Sequence, residues 1–247
     1  MDVGVGHSPC SDETTTPCLA VVIPCYNEAD TLDEILRRVL ARPEVAEVVV
    51  IDDASTDSSW ERLKLWPLAD ARVRVVRQEQ NRGKGAALRR GFAEVTAPVI
   101  LVQDADLEYS PDDYSRLLAP LLAGEADVVY GSRFVRDRPR PPGSWWHWWG
   151  NRLLTWISNK ASGLHLTDQA TCYKMARREL VQHLDLREDG FGFCPEFTAK
   201  VARAGARVVE VPASYHPRTV AEGKKIRLRH GAEAVWCVLK YNFQSAR

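Results

Sequence analysis

The chain has no apolar run that approaches the roughly 18 residues needed to span a bilayer. Its first eighteen residues are polar and acidic, which a signal peptide is not. The six cysteines lie at irregular spacings, with neither a Cys-x-x-Cys pair nor a repeating framework, and this favours a reduced, cytosolic setting. We therefore predict a cytoplasmic protein in which residues 1–18 form a disordered lead-in.

Net charge is also absent. The chain carries 33 basic and 33 acidic residues, and this balance argues against a nucleic-acid binder whose affinity would rest on neutralising phosphates. Between residues 203 and 230 the balance is lost, because only two acids, Glu210 and Glu222, accompany a larger set of basic side chains. The basic residues are Arg203, Arg207, Arg218, Lys224, Lys225, Arg227 and Arg229. We expect this basic segment to favour anions.

A third absence concerns glycine. No Gly-x-Gly-x-x-Gly loop follows the first apolar run, where Pro-Cys-Tyr-Asn-Glu stands at residues 24–28 instead. Because that loop is what brings a dinucleotide close to the backbone, its absence argues against a dehydrogenase. The lack of a glycine-rich loop at the same place argues against a nucleotidyltransferase.

The chain does contain a regular alternation of short β-branched runs and helical patterns. Its length of 247 residues and 45% hydrophobic content suit one large domain. Strands are predicted at 19–23, 47–51, 73–76, 99–102 and 127–130, and a late helix at 232–241. Continuous apolar runs are typical of parallel strands covered on both faces. The sequence therefore predicts an α/β fold, a mostly parallel Rossmann-like sheet flanked by helices.

Polar clusters follow three of the predicted strands, at 24–28, 52–57 and 104–106. Ligands bind outside the carboxyl ends of parallel strands, so the clusters indicate one binding site. Tyr26 is suited to stacking on a base, and Glu28 and Asp53 to accepting hydrogen bonds from base or ribose. Ordinary turn chemistry is the alternative for each cluster taken alone.

Two further features point to anionic groups. Asp104 and Asp106 would share one side of an extended chain, with Glu108 one step further, and so suit a single divalent cation. Residues 81–87 (Asn-Arg-Gly-Lys-Gly-Ala-Ala) place glycines at a helix start, where an anion is welcome. Both fit a diphosphate ligand.

Tryptophan is concentrated between residues 145 and 156, after a proline-rich stretch at 138–143 that we interpret as a boundary or loop. Trp149, Leu153 and Trp156 repeat at helical spacing and predict an amphipathic helix at a membrane–water interface. Packing of this helix on the sheet or at a dimer interface is the alternative.

The motifs together resemble those of family 2 glycosyltransferases with a GT-A fold. They are residues 23–28, 52–57, 81–91, 104–106 and 131–133, and the likeness extends from about Leu19 to Lys240. Residues 167–174 (Thr-Asp-Gln-Ala-Thr-Cys-Tyr-Lys), 215–218 (Tyr-His-Pro-Arg) and 222–225 (Glu-Gly-Lys-Lys) are similar to the polyprenol-phosphate sugar transferases, the dolichol-phosphate mannosyltransferase type. Ala54 departs from this pattern, where glycine is commoner, and so does Glu108, where glutamine is frequent.

The resemblance implies a role for each motif. It divides residues 19–247 into a nucleotide-binding part (about 19–135) and an acceptor and membrane-interface part (about 136–247) with C-terminal amphipathic helices. The nucleotide sugar would contact Pro24, Tyr26, Glu28, Ile51, Asp53, Asp104, Ala105, Asp106, Glu108, Arg133, Arg218 and Lys224. Mg or Mn would bind Asp104, Asp106 and Glu108. Asp106, Asp168, Arg133 and Arg218 would be catalytic.

The implied reaction is metal-dependent, inverting transfer of a hexose from GDP-mannose or UDP-glucose to dolichyl or undecaprenyl phosphate. A phosphate acceptor is already ionised near neutral pH and needs no base, which leaves Asp168 as either a base or an orienting group. Transfer to a soluble glycan or protein hydroxyl is the alternative, and it would require Asp168 or Glu196 as base. A third reading is a non-catalytic partner in a glycosylation complex. We expect peripheral association with the cytoplasmic face of the membrane, with a membrane-anchored partner or a homo-oligomer left open.

Overall fold

A computed structural model describes residues 17–135, 145–218 and 228–243. Most of the predicted lead-in, the proline-rich stretch at 138–143, Lys224, Lys225 and Arg227 lie outside these ranges.

A seven-stranded sheet forms the centre of the molecule. Its strands are β1 (Leu19–Cys25), β2 (Val45–Asp52), β3 (Val73–Arg77), β4 (Val99–Val102), β5 (Val128–Ser132), β6 (Lys174–Arg177) and β7 (Val208–Pro212). Their order across the sheet is β3-β2-β1-β4-β6-β5-β7. Each pairing is parallel except those of β6, which runs antiparallel to both β4 and β5. The predicted mostly parallel α/β sheet is confirmed.

All five predicted strands are present as β1 to β5, whereas β6 and β7 were not predicted. The β6 sequence, Lys-Met-Ala-Arg, has no β-branched residue and spans only four positions, so it carries little intrinsic preference for a strand. It forms a strand because β4 and β5 offer backbone partners on both sides.

Nine α-helices lie within the described ranges, together with one short 3₁₀ helix at Pro111–Asp113. The α-helices are α1 (Leu32–Leu40), α2 (Ser59–Leu63), α3 (Trp66–Ala69), α4 (Lys84–Glu94), α5 (Tyr114–Leu122), α6 (Trp145–Ser162), α7 (Arg178–His183), α8 (Phe193–Arg203) and α9 (Leu228–Phe243). The helix predicted at 232–241 is confirmed as part of α9.

Alternate residues of the interior strand β1 enter two separate cores. Val21 and Ile23 of β1 pack in a cluster with Leu36 of α1. Ala20 and Val22 face the other way, into a cluster that includes Phe92 of α4. Both faces are thus covered, which leaves the carboxyl ends of the parallel strands as the place where polar side chains collect.

Helices α6 and α9 lie beside this α/β unit. They pack against each other and against α8. In α9, Cys237 and Val238 are buried, while Trp236, Leu239 and Phe243 are exposed. Trp149, Leu153 and Trp156 of α6 are 57%, 58% and 59% exposed. Both helices therefore present apolar side chains to solvent, and α9 buries apolar side chains on its inner side as well. No helix in the described part of the chain is long and apolar enough to cross a membrane.

Candidate active site

The loops that follow β1, β2 and β4 meet at one edge of the sheet. In each loop one residue other than glycine adopts a left-handed backbone: Asn27 (φ 54°), Ala54 (φ 58°) and Leu107 (φ 63°). Such conformations cost free energy in L-residues and collect at functional sites. The φ of Ala54 also explains why glycine suits that position.

The carboxylates after β4 do not lie on an extended strand. The strand ends at Val102, and the left-handed Leu107 turns the chain between Asp106 and Glu108. Strand alternation is therefore not what brings Asp104, Asp106 and Glu108 together, although Asp104 and Glu108 both lie close enough to Asp106 to raise its pKa. Among residues whose placement is described, no group of three or more potential ligands is assembled for a metal ion.

Asp104 is held by a lysine that the sequence did not assign to the site. Lys84 Nζ, in the first turn of α4, forms an ion pair with Oδ1 of Asp104 and lies 2.9 Å from Cys172 Sγ. Burial alone would raise the pKa of Asp104, but the ammonium of Lys84 outweighs it and the pKa is lowered. Asp104 is therefore an ionised carboxylate.

Asp106 faces a different cation. Arg218 Nη2 donates to Oδ2 of Asp106 at 3.0 Å, and its Nη1 donates to Oε2 of Glu28 at 2.9 Å. Burial, together with the negative charges of Asp104 and Glu108, raises the pKa of Asp106 to about 7 despite Arg218. The site therefore still favours added positive charge. The carboxylate oxygens of Asp104 and Asp106 are donors that Mg²⁺ and Mn²⁺ prefer, so these residues fit a divalent ion.

Glu108 anchors the segment that carries Arg218. Its carboxylate accepts from Tyr215 Oη at 2.9 Å and from the backbone N–H of Arg218 at 2.8 Å. The backbone carbonyl of Glu108 also accepts from the N–H of His216 at 2.8 Å. This glutamate thus positions the 215–218 segment over the loop after β4.

Arg133 and Asp168 form a bidentate ion pair inside the protein. Arg133 Nε and Nη2 donate to the two carboxylate oxygens at 2.6 and 2.8 Å, and the Arg133 guanidinium lies 5.1 Å from the ring centre of Tyr215. Burial would raise the pKa of Asp168, yet Arg133 lowers it. A carboxylate with a lowered pKa, whose two oxygens both accept from one guanidinium, is a weak general base, so the geometry favours the orienting role for Asp168.

The residues predicted to line the nucleoside pocket lie partly at the site and partly in the core. Glu28 lies at the site beside Arg218. Pro24 pairs with Ile51 between β1 and β2, near the ends of both strands. The side chain of Ile51 is fully buried in the core cluster with Ala87 and so does not face this edge. It can line a pocket only through its backbone.

Ala105 and Asp53 serve the loops themselves. The carbonyl of Ala105 accepts from Thr31 Oγ1 at 2.7 Å. The nearly buried Asp53 accepts from the backbone N–H groups of Arg82 and Gly83 at 2.9 and 2.8 Å. The anion at the start of α4 is thus the Asp53 carboxylate.

The backbone of residues 188–189 lies close to Gly83 and Gly85 at the start of α4. A Cβ on Gly83 or Gly85 would lie 2.6 or 2.1 Å from the carbonyl oxygens of Asp189 and Glu188. The close backbone approach expected at these glycines is present, and the backbone that approaches is that of residues 188–189.

Glu196 and Lys224 are two further residues that the sequence analysis singled out. Glu196, the alternative base, is fully buried and accepts from the backbone N–H groups of Arg187 and Glu188, both at 2.7 Å, so it serves as an internal anchor. Lys224 lies outside the described residues. Lys84 and Asn151 were missed as site residues; Lys84 could have been noticed as the basic residue inside the 81–87 motif.

The fold and the carboxylate-rich edge define a class of protein, a GT-A glycosyltransferase. Residues 20–185 match the sequence model described as Glycosyl transferase family 2. Since this match covers more than half of the chain, the protein belongs to that family and is a glycosyltransferase.

Two relatives illustrate the likeness. The chain is 33% identical over 238 residues to a polyprenol monophosphomannose synthase of Mycolicibacterium smegmatis, covering 90% of this chain and 85% of the relative. It is 32% identical over 214 residues to an undecaprenyl-phosphate mannosyltransferase of Micrococcus luteus, covering 82% and 85%. The resemblance inferred from the motifs is confirmed.

A solved structure supports the fold independently. Glucosyl-3-phosphoglycerate synthase from Mycobacterium tuberculosis, in complex with Mn²⁺, uridine diphosphate and phosphoglyceric acid, superposes with a TM-score of 0.67. The two sequences are 22% identical, and the match covers 92% of this chain and 79% of the other. At this identity the likeness confirms the fold alone.

Proposed function

We propose that this glycosyltransferase moves a hexose from a nucleoside-diphosphate sugar to a polyprenyl phosphate with inversion at the anomeric carbon. One observation carries the choice of acceptor. The two acids that a hydroxyl acceptor could use as base are both buried and already bonded, Asp168 in a bidentate pair with Arg133 and Glu196 to two backbone N–H groups. A phosphate acceptor needs no base, because it arrives ionised near neutral pH. The names of the relatives support the same acceptor class.

In the proposed step an acceptor phosphate oxygen attacks the anomeric carbon. The bond from that carbon to the donor diphosphate breaks, and its electron pair leaves with the nucleoside diphosphate. No proton has to move. The chain's contribution is then to position the reactants and to neutralise charge, for which the arginine forks of Arg133 and Arg218 are suited.

Donor binding requires Arg218 to change partners. Its guanidinium now pairs with Glu28 and Asp106, and a diphosphate brings oxygens that compete for the same N–H groups. We propose that Arg218 turns to the diphosphate while Asp106 and Asp104 hold Mg or Mn, with Glu108 fixing the 215–218 segment. When bound, the ion would neutralise the negative charge of the leaving diphosphate. Lys224 is proposed as a further phosphate contact.

Mannose is the sugar in the names of both relatives, so we propose GDP-mannose as first donor and UDP-glucose as second. Tyr26, Pro24 and Asp53, with the backbone of Ile51, are proposed to surround the base and ribose.

The lipid acceptor places the enzyme at a membrane. The exposed apolar sides of α6 and α9 support peripheral binding, because tryptophan favours the membrane–water interface. We propose the cytoplasmic face, in keeping with the reduced setting that the irregular cysteine spacing favours. A membrane-anchored partner or a second copy of the chain would be an addition to this contact.

A panel of donors and acceptors tests the function. Radiolabelled GDP-mannose and UDP-glucose are supplied with Mg²⁺ or Mn²⁺, with a polyprenyl phosphate in detergent or with soluble hydroxyl acceptors alone. The proposal predicts lipid-linked product that disappears in Asp106→Ala. Product with hydroxyl acceptors only would move the assignment to a soluble glycan or protein acceptor, and binding without product would favour the non-catalytic reading.

A further inference from the structure

Helix α6 has a second side that differs from its apolar one. Asn151, Thr155 and Asn159 recur every four residues and so form one stripe along the helix. This stripe lies on a different side of the helix from Trp149, Leu153 and Trp156, about 130° away around the axis, since about 3.6 residues complete a turn. The apolar residues are exposed, whereas the polar stripe faces the protein through the hydrogen bonds described next.

Every member of the stripe binds the segment 166–169. Asn159 Nδ2 donates to the carbonyl of Leu166 at 2.8 Å, and its Oδ1 accepts from the N–H of Leu166 at 3.0 Å. Thr155 Oγ1 accepts from the N–H of Gln169 at 3.2 Å. Asn151 Nδ2 donates to Oδ1 of Asp168 at 3.0 Å. Only this last bond, among those of the stripe, reaches a charged side chain of the site.

The other side of the segment is fixed to the sheet. The N–H groups of Thr167 and Asp168 donate to the carboxylate of Glu210 in β7 at 2.6 and 3.0 Å. The segment 166–169 is therefore held between the sheet and α6. A shift of α6 against the sheet would therefore displace Asp168, and with it Arg133.

From Asp168 the contacts continue to the donor site. Asp168 holds Arg133, whose guanidinium lies over the Tyr215 ring. Tyr215 donates to Glu108, which also accepts from the backbone of Arg218. An unbroken series of contacts thus leads from the lipid-facing helix to the arginine beside Asp106.

We infer that Asn151 is a positioning residue that couples the seating of α6 on a lipid surface to the orientation of Arg133. The inference rests on the proposed function, because it gives the lipid surface a second role besides supplying the acceptor. In water α6 presents its tryptophans to solvent. On a bilayer the helix is fixed by its apolar side, and through Asn151 it holds Asp168 and Arg133 in one arrangement.

The test separates membrane binding from its effect on the reaction. The acceptor is a short, water-soluble polyprenyl phosphate, so that its partition into lipid does not enter the rate. Sugar transfer by the full chain is measured with and without acceptor-free vesicles of phosphatidylcholine and phosphatidylglycerol. The variants are Asn151→Ala and the similarly sized Asn151→Leu, with Asn159→Ala as a control that loses two hydrogen bonds of the same stripe.

Vesicles are expected to stimulate the wild type and Asn159→Ala about ten-fold, the size of one hydrogen bond to a charged group. Both Asn151 variants are expected to sediment with vesicles as the wild type does and to lose most of this stimulation. Loss of the stimulation in Asn159→Ala as well would overturn the inference, because loosening of the helix alone would then explain it. The inference also fails when the Asn151 variants keep the stimulation or when vesicles do not stimulate the wild type. A wild type that transfers to no polyprenyl phosphate would instead overturn the proposed function.

Discussion

The Nη2 atom of Arg218 lies 3.0 Å from Oδ2 of Asp106. The arginine assigned to a phosphate is thus paired with the carboxylate assigned to a metal ion. Glu28, from the end of β1, binds the same guanidinium. When this ion pair separates, Asp106 becomes available to a cation and Arg218 to a diphosphate. The site can therefore bind the two at the same time.

The pairing predicts that Arg218→Ala has opposite effects on two measurements. Removing the guanidinium frees Asp106, so Mn²⁺ measured by calorimetry without donor should bind about ten-fold more tightly. Sugar transfer should fall about a hundred-fold, because a charge that stabilises the leaving diphosphate is lost. Arg62→Ala, which breaks a surface ion pair with Asp33, should change neither. Unaltered Mn²⁺ affinity in Arg218→Ala would show that the ion pair between Arg218 and Asp106 does not compete with metal binding.

Asp168→Asn distinguishes orientation from base catalysis. The variant leaves Arg133 buried beside a neutral amide. Breaking a buried ion pair destabilises the folded arrangement by about 3–5 kcal/mol, so Arg133 is expected to be less well positioned. Transfer should therefore fall while the shape of the pH–rate profile stays that of the wild type. Disappearance of an acidic limb from the profile would identify Asp168 as a general base.

The apolar side of α6 can be tested against other exposed apolar residues. Trp149→Ser combined with Trp156→Ser should weaken sedimentation with anionic vesicles about ten-fold or more, because two interfacial aromatic side chains are lost. Leu65→Ser combined with Leu68→Ser is the matched control, since both leucines are exposed and lie at α3, Leu65 just before the helix and Leu68 within it. An equal loss of vesicle sedimentation in both double variants would mean that α6 contributes no more to membrane binding than α3 does.

Ala54→Gly should make the protein slightly more stable. The left-handed φ of 58° strains alanine by about 1–2 kcal/mol, of which the greater freedom of unfolded glycine cancels about half. A gain of about 0.5 kcal/mol is expected in chemical denaturation. Ala93→Gly, at an exposed position inside α4, should instead lose about 1 kcal/mol. A loss of similar size at both positions would contradict the strain at Ala54.

The sequence predicted those features that depend on neighbours along the chain. The valine run of β2 is apolar at consecutive positions, which favours a strand covered on both faces. The strand β6 depends on its partners β4 and β5, and its own residues give no such signal. Carboxylates at strand ends were recognised in the same way, because turns after parallel strands meet at one edge.

The partners of those carboxylates were harder to predict. Arg218 and Glu28 are 190 positions apart in the chain, and Lys84 reaches Asp104 only because α4 begins beside β4's end. Asn151 was overlooked since its helix was identified by the tryptophans on its other side. Residues 81–87 show the opposite case, where a familiar glycine pattern serves close packing against residues 188–189.

The most direct test of the central claim is the structure of the product. The enzyme is incubated with a single nucleoside-diphosphate hexose, Mg²⁺ or Mn²⁺ and a polyprenyl phosphate, and the product is examined by mass spectrometry and NMR. The account predicts a hexose joined to the lipid phosphate with anomeric configuration opposite to that of the donor, formed with one nucleoside diphosphate and absent in Asp106→Ala. A product with retained configuration, or a sugar attached to a hydroxyl in place of the phosphate, would contradict it.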